Sequence, residues 1–397
     1  MQNVLPSGVV PEGQALNAIY LDHNATTALD PAARDEMMPW LGDRLGNPSS
    51  IHSFGQEARR ALDKARARVA RLISAQPDEV VFTSGGTEAN NLAILGAVAA
   101  SAHTRPSIVT TAIEHQAVMN PCLHIERTGG FVAFLPVDRD GLLNAAEAST
   151  SLRDDTLLAS IMLANNDIGT VQPVGALAEQ ARQRGILIHT DAVQAVGKIP
   201  VDVRALGVDL LSFSGHKLKG PQGIGALWVR KGTKLSARTF GGHQERGLRP
   251  GTENVAAIVG FGKACELATE RLAVDLAHMQ DLRSSFEATI VDRLPGATVN
   301  GRAAPRLPNT SNMSFDGLDG EALVINLDIL GLAVSTGAAC SSADNEPSHV
   351  LLAMGRTAVQ ARSSVRFSFG RENSHEDVER AVALVVRAVE GMRESHR

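Results

Sequence analysis

The stretch Asp209-Leu-Leu-Ser-Phe-Ser-Gly-His-Lys217 joins a short apolar run to a polar turn that carries a lysine. The apolar part predicts a buried strand, so the lysine lies where that strand ends. Similar runs recur before and after it, separated by turn residues and by helical patterns. The strands predicted in this part of the chain are residues 79–83, 107–111, 157–163, 186–190, 209–213 and 226–229.

Helical patterns alternate with these strands. Apolar side chains recur at helical spacing in residues 56–73, 87–100 and 174–184. Strands that alternate with helices form parallel sheets that are covered on both faces. We therefore predict an α/β fold with a mostly parallel central sheet sandwiched by helices.

The sequence changes character after about residue 260, where one long helical pattern covers residues 261–294. The remainder predicts short strands at residues 310–315, 333–335 and 365–369, and helices at residues 321–330 and 375–392. We predict a large domain at residues 18–262 and a smaller α+β C-terminal domain at residues 263–397, with an N-terminal arm at residues 1–17 and a loop at residues 335–346.

Composition excludes several classes of function. Hydrophobic residues make up 44% of the 397 residues, which is enough to build a packed core. The formal charge of −5 and the lack of a basic cluster argue against nucleic-acid and membrane-surface partners. The N-terminus lacks the pattern of a signal peptide, and no apolar run is long enough to span a membrane. Three scattered cysteines do not form a disulfide framework, so we expect a cytoplasmic protein.

Lys217 is the first candidate for chemistry. A lysine at a strand end, beside hydroxyl and imidazole side chains, can form a Schiff base with an aldehyde cofactor. Ser214 and His216 supply such groups, and hydroxyls also bind phosphate. The pattern points to pyridoxal 5′-phosphate (PLP), although a surface lysine in a polar turn is the simpler alternative.

A second candidate is the segment Thr83-Ser-Gly-Gly-Thr-Glu-Ala-Asn90, which lies between a predicted strand and a predicted helix. Gly85 and Gly86 let the backbone approach a ligand closely, and the helix N-terminus offers N–H groups that have no partner within the helix. Phosphate binding at Gly86 and Thr87 is one interpretation, and an ordinary threonine-capped helix is the other.

Asp191 lies at the end of an apolar strand, which is where ligands bind in parallel sheets. A carboxylate there can keep a pyridinium nitrogen protonated, and Gln194 can reach a phenolic oxygen of the same ring. A helix N-cap is the alternative role for Asp191.

Further polar residues follow other predicted strands or lie on them. His115 can stack on a planar ring or carry a proton, although a lone histidine is more often structural. The pair Asn165-Asn166 can hold a carboxylate or close a turn. Arg366 can clamp a substrate carboxylate bidentately or form a surface ion pair.

The segment Ser335-Thr-Gly-Ala-Ala-Cys-Ser-Ser-Ala-Asp344 consists of small residues around one thiol. Such residues cannot pack a core, so we expect an exposed loop in which the reactivity of Cys340 matters, unless the thiol is incidental. Cys122 and Cys265 lie in apolar helical patterns, so we expect them to fill space in the core.

The order of these features resembles that of the cysteine desulfurases of the NifS/IscS type, within the fold-type I PLP enzymes. The matching segments extend from about residue 19 to about residue 390, and two of them look closer to the NifS branch. They include Tyr20-Leu-Asp-His-Asn-Ala-Thr-Thr27, Gly46-Asn-Pro-Ser-Ser50, Thr83-Ser-Gly-Gly-Thr-Glu88, Glu114-His115, Asn165-Asn166, His189-Thr-Asp-Ala-Val-Gln-Ala-Val-Gly-Lys198, Ser212-Phe-Ser-Gly-His-Lys217, Gly241-Gly-His-Gln-Glu-Arg-Gly247, Arg249-Pro-Gly-Thr-Glu-Asn254, Gly337-Ala-Ala-Cys-Ser-Ser342 and Val365-Arg-Phe-Ser368.

The resemblance implies a role for each candidate. Lys217 corresponds to the Schiff-base lysine, and Cys340 corresponds to the nucleophile that accepts sulfur, on a loop like that of the mobile-cysteine-loop group. Asn166 and Arg366 correspond to residues that bind the substrate carboxylate. The implied cofactor contacts are Asp191 to the pyridine nitrogen, Gln194 to the ring hydroxyl, His115 to the ring, and Thr87, Ser214, His216 and Thr252 of the partner subunit to the phosphate.

The implied reaction converts L-cysteine to L-alanine and leaves a persulfide on Cys340. It takes place in a homodimer that supplies sulfur for Fe–S cluster assembly through a scaffold protein or passes it to another acceptor. No structural metal is implied, although Cys340 could ligate an Fe–S cluster transiently. The chain departs from the family pattern at Asp167, where glutamate is usual, at Ala89, where serine is usual, and in the loop around Cys340.

Two alternatives to this function stay open at the level of the sequence. Selenocysteine lyases and class V aminotransferases would share Lys217 and Asp191 but should not need Cys340. A non-catalytic sulfur-carrier or scaffold subunit is the second alternative, and it would not need PLP.

Overall fold

A seven-stranded sheet lies at the centre of the fold, which the computed structural model describes for residues 18–336 and 346–395. After a short strand β1 (Ile19–Tyr20), the strands of this sheet are β2 (Val80–Thr83), β3 (Ser107–Thr111), β4 (Phe131–Leu135), β5 (Thr156–Ser160), β6 (Leu187–Asp191), β7 (Leu210–Ser214) and β8 (Gly225–Val229). They lie side by side in the order β2-β8-β7-β6-β5-β3-β4. Neighbouring strands from β7 to β4 are parallel, whereas β8 runs antiparallel to both β7 and β2. The predicted α/β fold with a mostly parallel central sheet is confirmed.

Helices pack against both faces of this sheet. They are α1 (Pro31–Leu41), α2 (Ser53–Leu72), α3 (Gly86–Ala100), α4 (Gln116–Arg127), α5 (Ala145–Thr150), α6 (Val174–Gln183) and α7 (Val203–Leu206). Successive side chains of a strand point to opposite faces, so an apolar strand such as β7 needs cover on both. Leu211 and Phe213 join a core cluster with residues of α2 and α6, whereas Leu210 joins another with residues of α3 and α4.

A separate core lies around the C-terminal half of a long helix, α8 (Val255–Arg293). The elements that follow are β9 (Ala297–Val299), β10 (Thr310–Phe315), α9 (Gly320–Ile329), β11 (Leu332–Ala333), α10 (His349–Ala353), α11 (Ala358–Arg362), β12 (Ser364–Ser368) and α12 (His375–Ser395). β12, β10 and β9 form an antiparallel sheet, and β11 pairs with β1. Phe286 of α8 packs against Phe367 and Phe369, with ring centroids 4.8 and 5.6 Å apart. The predicted domain boundary between residues 262 and 263 falls inside α8 and stays a prediction.

Most predicted elements agree with the structure to within a few residues. The strand predicted at residues 79–83 begins at Val80, because Pro77–Glu79 form a 3₁₀ turn. The strand predicted at residues 186–190 continues to Asp191, which pairs with Ser212 of β7. Sequence patterns did not predict β1, β4, β9, α1, α4, α5, α7, α10 or α11, and the predicted N-terminal arm lies outside the described residues. Within the described ranges, no helix combines the length and the apolarity needed to cross a bilayer.

Candidate active site

The predicted site residues converge at the edge where the parallel strands end. Asp191 is the last residue of β6, and Ser214 is the last residue of β7. His115 follows β3, Asn166 follows β5, and α3 begins at Gly86 shortly after β2. The carboxyl ends of parallel strands meet at one edge of a sheet, and ligands bind there in α/β proteins.

A cavity of about 370 Å³ lies at this edge, and its volume is within the usual range of small-molecule sites. Ten predicted residues line it, namely Gly86, Thr87, His115, Asn166, Asp191, Gln194, Ser214, His216, Lys217 and Arg366. Asn24 and Asn90 also line it, although the sequence did not mark them as site residues.

The first turn of α3 forms a donor-rich corner of the cavity. A side chain would not fit at Gly86, because a Cβ atom there would lie 2.6 Å from Cγ2 of Val193. The backbone N–H groups of a helix N-terminus attract anions. The hydroxyls of Thr87 and Ser214 border the same cavity, so this corner suits a phosphate.

His216 lies next to this corner, and its Nδ1 is 3.2 Å from Oγ1 of Thr26. Burial, together with the positive charges of Lys217 and Lys198, lowers the pKa of His216 to about 4. The imidazole is therefore neutral at pH 7, and it retains one N–H group that can donate a hydrogen bond.

Two hydrogen bonds fix the carboxylate of Asp191 at the cavity wall. Its Oδ2 accepts from Nδ2 of Asn90 at 2.7 Å, and its Oδ1 accepts from the backbone N–H of Val193 at 2.9 Å. The bond from Val193 is the turn-closing contact that the capping alternative expects. A capping role does not explain the hydrogen bond from Asn90 or the position of Asp191 at the cavity. Together they give the cavity a buried carboxylate whose direction is fixed.

Lys217 lies in a 3₁₀ turn directly after β7. Its Nζ donates to the backbone oxygen of Asn24 at 2.5 Å and to that of Ala25 at 2.6 Å. Both carbonyls belong to residues that line the cavity, so the amine is held at the cavity wall. This is not the environment of a surface lysine. Lys219, two residues further on, instead forms an ion pair with Glu372.

Arg366 projects from β12 and is only 3% exposed. Its Nη2 donates to Oδ1 of Asp22 at 2.8 Å, and its Nη1 donates to the backbone oxygen of Asn166 at 3.2 Å. Its Nε has no hydrogen-bond partner among the described residues. A buried guanidinium with an unsatisfied N–H group is suited to bind a carboxylate, which the surface ion-pair alternative does not explain.

His115 caps α4, because its Nδ1 accepts a hydrogen bond from the backbone N–H of Ala117 at 3.1 Å. In the neutral ring the proton therefore lies on Nε2. The preceding residue, Glu114, is fully buried, and its Oε1 accepts from the hydroxyl of Thr111 and the backbone N–H of Met162, both at 2.8 Å. Burial, with a contribution from the charge of a neighbouring aspartate, raises the pKa of Glu114 to about 8.

A polar network behind the cavity was not predicted as part of the site. Nζ of Lys198 donates to Oε1 of Gln194 at 2.7 Å and to Oδ1 of Asn24 at 2.9 Å. Nε2 of Gln194 donates to the backbone oxygen of Asn24 at 3.0 Å. The sequence held a partial signal, because Asn24 and Lys198 belong to matching segments and Asn90 shares a helix face with Thr87.

Two predicted site residues are not placed in the cavity. Thr252 is exposed in the segment before α8 and does not line the cavity. Arg249, in the same segment, forms an ion pair with Glu88 at 3.0 Å, which attaches this segment to the first turn of α3. Cys340 belongs to residues 337–345, which lie outside the described residues.

Both ends of the segment 337–345 are attached next to the cavity. Before it, the backbone of Ser335 forms two hydrogen bonds with that of Arg366, at 3.2 and 2.7 Å. After it, the hydroxyl of Ser348 donates to Oδ2 of Asp167, the residue after Asn166, at 2.6 Å. The chain on either side of Cys340 therefore contacts residues at the cavity or adjacent to it.

Cys122 and Cys265 are buried and unpaired, which agrees with the space-filling role predicted for them. Burial raises the pKa of Cys122 to about 12 and raises that of Cys265 well above its ordinary value. Both therefore stay as thiols at neutral pH and are poor nucleophiles.

The cavity fits PLP in three respects. A phosphate matches the donor-rich corner at α3, where Gly86 leaves room for close approach. A pyridinium nitrogen matches the fixed carboxylate of Asp191, and an aldehyde matches the amine of Lys217.

Comparison with known proteins agrees with this fit. The profile of the family "Aminotransferase class-V" matches residues 19–381. A cysteine desulfurase IscS from Dictyoglomus turgidum is 46% identical over 375 residues, which cover 94% of this chain and 95% of that protein. A cysteine desulfurase from Gluconacetobacter diazotrophicus is 46% identical over 381 residues, which cover 96% and 95%. A solved structure of a NifS-like protein has a TM-score of 0.88 at 36% identity and covers 94% of this chain and 99% of that one.

The chain therefore belongs to the class-V aminotransferase family of PLP-dependent enzymes. Within that family it belongs to the cysteine desulfurases of the NifS/IscS type, because relatives with that name match nearly its whole length. The predicted fold type, cofactor and enzyme class are confirmed.

Proposed function

We propose that Lys217, Asp191 and Arg366 form the centre of a site that removes sulfur from L-cysteine and releases L-alanine. The observation that carries this proposal is one cavity lined by an amine, a buried carboxylate and a buried guanidinium. The amine can bind the aldehyde of the cofactor, and the carboxylate can bind its ring nitrogen. The guanidinium can bind the carboxylate of the substrate. The relatives named cysteine desulfurase support L-cysteine as the substrate.

The residues around the cavity are proposed to hold PLP from several sides. Lys217 would bind its aldehyde, Asp191 its ring nitrogen, Gln194 its ring hydroxyl, His115 its ring face, and Gly86, Thr87, Ser214 and His216 its phosphate. When bound, the cofactor supplies an electron sink that acidifies the Cα proton of an amino acid. Because His216 is neutral at pH 7, it contributes a hydrogen bond but no charge to the phosphate corner.

Lys217 is proposed to move the Cα proton of the substrate. Two carbonyl oxygens keep its Nζ at the cavity wall, where it lies within reach of a bound amino acid. A neutral amine is needed both to react with an aldehyde and to accept a proton.

Arg366 and Asn166 are proposed to bind the substrate carboxylate. Nε of Arg366 has no partner among the described residues and lies on a guanidinium that Asp22 and Asn166 already fix in place. A carboxylate that binds this guanidinium would satisfy the buried N–H group and orient the amino acid in the cavity.

Cys340 is proposed to take the sulfur. Its thiolate attacks the substrate sulfur, so that an S–S bond forms and the C–S bond breaks, with the electron pair staying on the carbon fragment. Protonation of that fragment gives alanine, and the persulfide remains on the enzyme. The attachments of Ser335 and Ser348 beside the cavity support this role, because they keep both ends of the intervening segment close to the substrate site.

The test measures alanine and sulfide together, from L-cysteine and a thiol reductant, with the PLP-loaded protein. Wild-type protein should release both in equal amounts. Lys217→Ala should lose the visible cofactor absorption and both products, whereas the matched variant Lys219→Ala should keep them. Cys340→Ser should bind L-cysteine, seen as a spectral change, and release no sulfide.

Two outcomes would contradict this function. Sulfide release by Cys340→Ser at the wild-type rate would remove Cys340 from the reaction. Amino transfer to a keto acid, or a preference for selenocysteine that does not need Cys340, would favour another enzyme of the same family.

A homodimer is proposed to complete the site. Several large apolar side chains are exposed, namely Leu45 at 67%, Ile51 at 93%, Phe54 at 55% and Phe240 at 91%. Exposed apolar surface of this kind marks interaction sites. Thr252 is exposed and lies outside the cavity of its own chain, as expected of a residue that serves the phosphate corner of a second chain.

The sulfur acceptor is proposed to be an Fe–S scaffold protein in the cytoplasm. Fe–S cluster assembly is the usual role of this family, and the unpaired buried thiols of Cys122 and Cys265 fit a reducing compartment. Incubating the persulfide form with cell extract and identifying the protein that receives the sulfur tests this proposal. Sulfur delivery to a tRNA-thiolation protein in place of a scaffold would overturn it.

A further inference from the structure

Lys198 is a buried lysine that lies behind the cavity and has no carboxylate partner. It is 5% exposed, and no ion pair is formed with it anywhere in residues 18–336 or 346–395. The turn after β6 brings it to this place, because Gly197 has φ = +82° and Lys198 donates its backbone N–H to the carbonyl of Ala195 at 3.0 Å. In the part of the chain that the structure describes, its Nζ donates to two amide oxygens, those of Gln194 and Asn24.

A lysine in this position is costly to the fold. Burial lowers its pKa well below the ordinary value, and the positive charges of Lys217 and Arg366 lower it further. An apolar side chain of similar length would avoid the loss of hydration, so stability does not explain a lysine here. Both the ammonium and the neutral amine have the two N–H groups that the observed hydrogen bonds require.

The hydrogen bonds of Lys198 contribute to the orientation of two amides, those of Gln194 and Asn24. Because Oε1 of Gln194 accepts from Lys198, Nε2 is the end of the amide that donates to the backbone oxygen of Asn24, and Gln194 lines the cavity. The amide of Asn24 has further partners: its Oδ1 also accepts from Nδ2 of Asn309 at 3.1 Å, and its Nδ2 donates to Oγ1 of Thr310 at 2.9 Å and to the backbone oxygen of Asn166 at 3.1 Å. The same Asn24 supplies a carbonyl that holds Lys217. Gln194 is therefore the amide that depends most on Lys198, which donates to its Oε1.

We propose that Lys198 is a positioning residue, which keeps Gln194 turned so that its N–H₂ group is presented to the cofactor. The proposal rests on the proposed function, in which Gln194 faces the ring hydroxyl of PLP. A donor at this point stabilises the ionised hydroxyl, whereas an acceptor stabilises the protonated one. Without Lys198, the amide of Gln194 loses the donor to its Oε1, and the hydrogen bond to the backbone oxygen of Asn24 is left to oppose a rotation that presents the oxygen.

The experiment is a spectrophotometric pH titration of the PLP-loaded protein. Lys198→Met should raise the apparent pKa of the visible band by about one unit or more, since one charge-assisted hydrogen bond has a strength of that order. Lys219→Met is the matched control, because this lysine lies two residues from Lys217 but pairs with Glu372 and contacts neither amide. Its titration should coincide with that of the wild type.

A double-mutant cycle separates positioning from the loss of a charge. If Lys198 acts through Gln194, the shift caused by Lys198→Met should largely vanish in the Gln194→Ala background. A shift of full size in that background, or no shift in the single variant, would overturn the proposal. Gln194→Glu covers the case in which Lys198→Met does not fold. It keeps the contact with Lys198 but presents an acceptor, so it should raise the apparent pKa, and an unchanged value would also overturn the proposal.

The same titration distinguishes this proposal from the proposed function. If the wild-type protein lacked a visible band that depends on Lys217, the proposed function itself would fail. If that band were present and Lys198→Met titrated like the wild type, only the role of Lys198 would fail.

Discussion

Neutral amide groups contact each of the ionisable side chains Asp191, Lys217 and Arg366. Asn90 donates to Asp191, the backbone carbonyls of Asn24 and Ala25 accept from Lys217, and the carbonyl of Asn166 accepts from Arg366. Amides do not titrate near neutral pH, so these contacts persist when the pH changes. Glu114, a fully buried residue next to His115, is a group that does respond to pH.

Glu114→Gln tests the pH dependence of stability. The folded state raises the pKa of Glu114 from 4.5 to about 8, so it binds a proton that the unfolded state releases. This contribution to stability is fully present below about pH 4.5 and is lost as the pH rises through about 8. Glutamine mimics the protonated acid, so the wild type should lose stability relative to Glu114→Gln over this range, by at most about 1.4 kcal/mol per pH unit.

Urea denaturation of the PLP-loaded proteins at pH 5.5, 7.0 and 8.5 measures this difference. Glu126→Gln is the control, since Glu126 lies exposed near the end of α4, the helix that begins two residues after Glu114. Its free energy of unfolding should differ from that of the wild type by a constant amount. A constant difference for Glu114→Gln as well would show that the buried carboxyl group does not hold its proton.

The site is formed where two strands end and one helix begins. β6 and β7 each end in a polar residue at the same edge, and α3 begins opposite them. The start of α3 lies close to the turn after β6, because Val193 leaves no space for a side chain at Gly86. The phosphate corner therefore depends on how two separate elements pack against each other.

Gly86→Ala tests this packing. The new methyl group would lie 2.6 Å from Cγ2 of Val193, so either α3 or the turn that carries the Asp191 contact must shift. We expect PLP affinity to fall at least about tenfold, as for the loss of one charge-assisted hydrogen bond, in a fluorescence titration. Val193→Ala in the same chain should restore much of the affinity by removing the contact.

Gly391→Ala is the matched control for this change. No atom lies within 4 Å of a Cβ at Gly391 in α12, so alanine should leave PLP affinity unchanged and stabilise the helix by up to about 1 kcal/mol. Equal affinities for Gly86→Ala and the wild type would mean that the phosphate does not bind at the start of α3.

The whole molecule shows why one part of the site could be predicted and another could not. Asp191 and Lys217 each follow an apolar run, and parallel strands bring such positions to one edge, so local patterns are enough to find them. Asn24 and Lys198 are 174 residues apart, and their contact depends on how β1 and the segment after it lie across the sheet. No local pattern encodes such a contact. The order of the strands in the sheet was not predicted from the sequence either, since β8 lies between β2 and β7.

We expect the chain to form a homodimer, and the variant Ile51→Asp tests this expectation. Ile51 is 93% exposed. If a second copy covers it, a carboxylate there would lose its hydration without gaining a partner, so the variant should be monomeric by sedimentation at concentrations where the wild type is dimeric. Val359→Asp is the control, because Val359 is 77% exposed on α11, away from the segment of Ile51 in the chain. It should stay dimeric.

A mixed dimer then tests whether the two chains share a site. Lys217→Ala and Thr252→Ala should each be impaired when pure, the first without bound PLP and the second with weakened PLP binding. If Thr252 serves the partner subunit, a hybrid of the two variants contains one site with an intact Lys217 and an intact Thr252, and it should recover wild-type PLP affinity at half the sites. If Thr252 instead contacts the cofactor of its own chain, no site of the hybrid is intact, and PLP affinity should stay at that of the Thr252→Ala protein. This result would refute the shared site, whereas the existence of the dimer is tested separately by sedimentation.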